Sequence, residues 1–169
     1  MAAGSAQLSV VHALTEAEGL AKARRLFEEY ATSLGSDVCL QGFDQELVTL
    51  PGRYAAPEGR LLLAVRADEL AGCVALRALE PSVCEMKRLF VRPAYRGLGV
   101  GRLLADQIIR EANSAGYRRM RLDTLPSMTS ALTLYRQLGF REIAPYRDSP
   151  LPGALYLELA LRRPEEHGS

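Results

Sequence analysis

Chemistry is most legible in the segment Arg96-Gly97-Leu98-Gly99-Val100-Gly101-Arg102. A strand-like run ends at Val91-Arg92-Pro93, and an amphipathic helical pattern opens on the glycines themselves. Glycine at 97, 99 and 101 lets the backbone approach a ligand and turns successive N–H groups the same way. The helix start adds roughly half a positive charge, and Arg96 and Arg102 add full ones at the edge, so the turn suits a phosphate group. Two better-known phosphate loops do not fit. The pattern GxGxxG needs glycine where Arg102 stands, and GxxxxGK[ST] finds no lysine in place. A plain strand-to-helix turn is the other reading, but alternating glycines cost conformational entropy that such a turn does not require.

The elements that must position this loop follow from periodicity. Leu8, Val10 and Val11 suggest a first strand. Thr15 and Glu18 have capping-box spacing, and Leu20, Ala23, Phe27, Tyr30 and Leu34 follow at helical intervals. Residues 34–58, with Gly42, Pro51, Gly52 and Pro57, read as an irregular region holding a short helix near Asp44–Thr49. Strand patterns come at Arg60–Arg66, Leu70–Leu79 and Val83–Val91, the first two joined by the turn Ala67-Asp68-Glu69. A helix over 99–115 carries Val100, Leu103, Leu104, Ile108 and Ala112 on one stripe, and Gly116 is placed to cap its end. A strand at Arg119–Thr124, a helix at 126–138 closed by Gly139, and strands at 140–143 and 154–161 complete the chain. Antiparallel strands followed by βαβ predict an α/β fold, a mixed sheet with helices on its faces.

At 169 residues, 48% of them hydrophobic, the chain is one domain with room for a core, 1–169, ordered over about 7–161. The ends, 1–6 and 162–169, are polar and read as loose. A net charge of +1 gives no support to a nucleic-acid partner or a polybasic membrane protein. The longest apolar run, Leu61-Leu62-Leu63-Ala64-Val65, is too short to cross a bilayer, and Met1-Ala2-Ala3-Gly4-Ser5 lacks the features of a signal peptide. The expectation is a cytoplasmic protein. Cys39, Cys73 and Cys84 form no CxxC pair and read as small buried hydrophobes, so no metal is expected.

Arg96-Gly97-Leu98-Gly99-Val100-Gly101 matches the (Q/R)xxGx(G/A) signature of the GNAT family, the acetyl-CoA-dependent N-acetyltransferases. Arg88-Leu89-Phe90-Val91-Arg92-Pro93-Ala94-Tyr95 resembles that family's fourth strand and its exit. Ala131-Leu132-Thr133-Leu134-Tyr135-Arg136-Gln137-Leu138-Gly139-Phe140 is similar to its C-terminal helix motif, AxxLYxxLGF. The motifs stand in the family's order over about residues 7–161. One position departs: Met128 stands where many members have asparagine, and Ser127, Thr129 or Ser130 are candidates to replace its contact with the cofactor arm.

The resemblance implies a mostly antiparallel central sheet splayed between its fourth and fifth strands, with helices on both faces. It implies acetyl-CoA as acyl donor, held by Leu89, Phe90 and Val91 and by the loop 96–102. The Leu89 N–H then faces the acetyl carbonyl, and Val91 pairs with the pantetheine arm. An amine attacking a thioester needs a base and an acid. A glutamate at the position of Glu85 serves as base in several members, and the helix tyrosine, Tyr135, would protonate the leaving thiolate. By the two-residue period, 85, 87, 89 and 91 share one strand face. Arg53, Tyr54, Lys87, Arg88, Tyr146 and Arg147 fall where the family builds its acceptor site, and their charge suits a small amine carrying a carboxylate, such as an amino acid. The alternatives are a protein lysine or N-terminal acetyltransferase and a non-catalytic acyl-CoA-binding module. A homodimer is left open.

Overall fold

The computed structural model describes residues 7–13, 16–35, 42–147 and 153–162. The expected loose ends, apart from Arg162, together with Thr15 and Cys39, lie outside them. The strands are β1 (Leu8–His12), β2 (Arg60–Arg66), β3 (Glu69–Glu80), β4 (Val83–Val91), β5 (Arg119–Thr124), β6 (Arg141–Ile143) and β7 (Leu155–Ala160). The helices are α1 (Ala17–Ser33), α2 (Phe43–Thr49), α3 (Val100–Ser114) and α4 (Thr129–Leu138). The strands form one sheet in the order β1-β2-β3-β4-β5-β7-β6, antiparallel except for the parallel pair β4–β5.

Both faces of the sheet are covered, and β2 and β3 accordingly carry continuous apolar runs, over residues 61–65 and 70–76, rather than strict alternation. Leu62 and Ala64 of β2 pack with Leu104, Ala105 and Ile108 of α3. Leu61 and Leu63 pack on the opposite face with Ala23, Leu26 and Phe27 of α1. Gly116, at φ +91°, terminates α3 as expected, its N–H bonded to the Asn113 carbonyl at 3.1 Å.

Helix α1 begins after Glu16, which makes no side-chain cap; the capping-box reading turns on Thr15 and lies outside the described residues. One local expectation fails. Helix α4 begins at Thr129, not Pro126, because Leu125 to Met128 close a turn of their own through the Met128 N–H and the Leu125 carbonyl.

The β3–β4 pairing matters most for function. Its register slips by one residue on β3 between Ala78 and Glu80, and slips back by one on β4 between Lys87 and Phe90. The second slip is a bulge at Arg88, whose φ is +60°. An inserted residue inverts the alternation of a strand. Cys84, Met86, Leu89 and Val91 therefore face α3, while Phe90 faces α1 and Arg88 faces α2. Residues 85, 87, 89 and 91 do not share one face: Glu85 and Lys87 lie opposite Leu89 and Val91.

Candidate active site

Backbone pairing of β4 with β5 stops after Val83↔Arg119, Cys84↔Met120 and Glu85↔Arg121. Beyond Glu85 the two strands part. The Arg92 N–H donates to the Ala71 carbonyl of β3. Successive N–H groups of a strand point to opposite sides, so those of Val91 and Leu89 turn to the open side. A cleft of about 640 Å³ fills the gap. On its β4 side are Leu89, Phe90, Val91 and Tyr95, and across from them are Leu125 and Ser127 to Ala131.

Helices α3 and α4 both start at this cleft, and neither has a side-chain cap. At α3 the cap position is Gly99, at φ +81°, and Gly97 before it has φ +79°. Uncapped first-turn N–H groups are an anion site in waiting. Arg96, Gly97, Gly99, Val100 and Gly101 line the cleft. Leu98 is exposed to solvent, and Arg102 pairs with Asp106 one turn on at 3.3 Å, so these two expected cofactor residues stand outside its wall. A Cβ at Gly101 would sit 3.6 Å from Val91 and 3.7 Å from Leu134, both in the cleft wall, so anything longer projects into it. These features fit a long ligand with a phosphate-bearing end. Met128 is the α4 cap residue and cannot accept a backbone N–H through an oxygen; its Sδ lies 3.6 Å from Thr124 Oγ1.

Tyr135 is buried in the core beside Phe140, ring centroids 5.7 Å apart. It adjoins Leu134, which lines the cleft. Its hydroxyl has no hydrogen-bond partner among the described residues, yet it is not one of the side-chain atoms sealed from solvent without a partner. Burial, with smaller contributions from Tyr30 and Asp123, raises its pKa above the ordinary 10.

Glu85 is fully buried and both of its oxygens are taken. Arg77, its register partner on β3, donates to Oε1 through Nε at 2.9 Å and Nη2 at 2.8 Å. The Tyr146 hydroxyl donates to Oε2 at 2.6 Å, and Arg147 ion-pairs with the same oxygen. Tyr146 is fixed edge-on to Tyr156, with the Arg121 and Arg147 guanidiniums over its ring. Arg147 Nε is buried with no acceptor among the described residues. Burial, then the nearby positive charges of Arg77 and Arg53, lower the Arg147 pKa. The cluster is short of negative charge.

Lys87 completes it, 4.0 Å from Glu85 and 3.7 Å from Asp123 of β5. The other expected acceptor residues are drawn elsewhere. Arg88 holds Glu46 of α2, between the rings of Tyr30 and Phe43. Tyr54 is core, edge-on to Phe27, with its hydroxyl on Glu46 at 2.8 Å. Arg53 is exposed and donates to the Ala78 carbonyl at 2.8 Å. Sequence reasoning missed Arg77, Asp123 and the cleft residue Tyr30. Counting back from the β3–β4 turn would set Ala78 opposite Glu85; the slip on β3 puts Arg77 there instead. Among the described residues no cluster of His, Cys, Asp and Glu could hold a metal, and no helix is long and apolar enough to cross a membrane.

Comparison with known proteins agrees with this geometry. A model described as acetyltransferase (GNAT) family matches residues 13–140. An uncharacterized N-acetyltransferase of Schizosaccharomyces pombe is 39% identical over 142 residues, covering 83% of this chain and 87% of that protein. The N-acetylaspartate synthetase of Danio rerio is 29% identical over 110 residues, 64% of this chain and 39% of that one. An acetyltransferase of Salmonella typhimurium, solved with its cofactor acetyl-CoA, superimposes with a TM-score of 0.70 at 19% identity, covering 96% of each chain.

Proposed function

The chain belongs to the acetyltransferase (GNAT) family, and on that premise we propose that it moves the acetyl group of acetyl-CoA directly onto the primary amine of a small acceptor that also carries a carboxylate. The observation that carries the acceptor class is Arg147: a half-buried guanidinium whose Nε is buried with no acceptor among the described residues, crowded by Arg77 and Arg53. An acceptor carboxylate would supply the missing anion through a charge-assisted hydrogen bond. The likeness to an N-acetylaspartate synthetase points to the same chemistry.

The cofactor supplies an acetyl thioester. The chain's part is to hold it and manage charge and protons. The N–H groups of the 97–101 loop and the α3 start would bind the pyrophosphate, with Arg96 and Arg102 adding charge at the rim. The N–H groups of Leu89 and Val91, on the side of β4 away from β3, would meet the acetyl carbonyl and the pantetheine amide. One such oxyanion donor is typically worth about 10²–10³ in rate. Tyr135, protonated at neutral pH, would donate to the departing thiolate. Glu85, with both oxygens engaged, serves in this reading to anchor Arg77, Tyr146 and Arg147.

The test is thiol release from acetyl-CoA with carboxylated amines and their amide analogues. Carboxylated amines should react faster, and Arg147→Met should abolish the preference by raising their KM. Amides reacting as fast as the acids would refute the acceptor class.

A further inference from the structure

Of the 21 Lys and Arg residues only two are lysines, Lys22 and Lys87. Lys22 is on the outside of α1, paired with Glu18 one turn earlier at 3.2 Å. Lys87 is in the site, its side chain only 12% exposed. Arginine stays charged at any pH a protein meets, whereas a buried lysine can give up its proton. Positive charge alone is supplied in this cluster by arginine, at 77 and 147.

The position of Lys87 is as specific as its type. The β4–β5 ladder ends at Glu85↔Arg121, and two residues further on each strand Lys87 and Asp123 meet by their side chains instead. They stand where β4 and β5 begin to part, against Glu85. Asp123 is close enough to raise the pKa of Tyr30 in the cleft wall, of Tyr135 and of Tyr146. The groups that act on Lys87 are Glu85 and Arg88 on its own strand, Arg77 on β3, Asp123 on β5 and Glu46 on α2. Burial has the largest effect and lowers its pKa to about 8, Asp123 opposing and Arg88 and Arg77 assisting. Glu85 is saturated by Arg77, Tyr146 and Arg147, so it is poorly placed to accept a further proton.

We propose that Lys87 is the base that takes the proton from the acceptor ammonium, with Asp123 as the residue that positions it. The inference rests on the acetyltransferase reading above. One N–H bond of the ammonium breaks, and its proton forms the fourth bond of the Lys87 Nζ. The lone pair released on the acceptor nitrogen makes the new C–N bond as the thioester C–S bond breaks, and the thiolate takes a proton from Tyr135. The acylated nitrogen gives its second N–H proton to water and becomes the neutral amide, Tyr135 regains a proton from water, and Lys87 passes its proton to water; one proton is released per turnover.

Lys87→Arg keeps the charge and removes the base. Wild-type kcat/KM should rise with pH through about 8. The variant should lose about 100-fold or more with an acceptor amine of pKa near 10.4, and progressively less as the acceptor pKa falls toward about 8, because such amines are already partly neutral. Acetyl-CoA affinity and the melting curve should not change, and Lys87→Gln serves if the arginine variant is misfolded. Asp123→Asn should shift the pH limb downward, since it removes the charge that holds the lysine proton. A Lys87→Arg enzyme with wild-type rates, or a loss equal for every acceptor, would overturn the proposal. The acceptor class fails separately: if wild type prefers uncharged amines, the same comparison is run on those.

Discussion

Arg88, at φ +60° on the β4 bulge, holds both carboxylate oxygens of Glu46, through Nε at 2.9 Å and Nη2 at 3.1 Å. The pair is mostly buried and fastens α2 to the sheet directly behind the splay. Removing one partner of a buried pair leaves the other charge desolvated. Arg88→Met should therefore cost about 3–5 kcal/mol in denaturant unfolding. Adding Glu46→Leu should cost less than the sum of the single changes. Additive costs would show that the pair contributes no coupling.

Gly101 and Gly99 should respond differently. Gly101 is in the first turn of α3 with ordinary space for a Cβ, so Gly101→Ala should keep both the fold and CoA affinity. Gly101→Leu should keep the fold but weaken CoA binding tenfold or more, about 1.4 kcal/mol. Any residue at Gly99 pays instead in strain at φ +81°, of order 1–2 kcal/mol, visible as a lower melting temperature. Undiminished CoA binding by a folded Gly101→Leu protein would remove the loop from the cofactor site.

Tyr135→Phe removes a hydroxyl that has no partner among the described residues, so stability should hardly move. General-acid catalysis contributes about 10²–10⁴-fold, and turnover should fall within that range while acetyl-CoA affinity stays. A variant keeping more than about a third of wild-type turnover would assign Tyr135 to packing against Phe140 alone.

What the sequence by itself determined was local. Alternating glycines at 97, 99 and 101 announce a backbone cradle because their conformations and their missing side chains act within one turn. Periodicity placed the seven strands and four helices because burial on one or both faces is written at spacings of two and 3.6. The pairings that make the acceptor side were decided by tertiary structure. A single residue inserted at Arg88 inverts the face pattern of β4, so Glu85 and Lys87 part from Leu89 and Val91. Nothing in the local sequence marks that insertion, because a bulge is defined by the strand opposite. For the same reason Arg88 and Tyr54 went to Glu46, while Arg77 from β3 and Tyr146 and Arg147 from the segment after β6 converged on Glu85. Charges find partners through space, and distances of 42 and 61 residues along the chain carry no period to read.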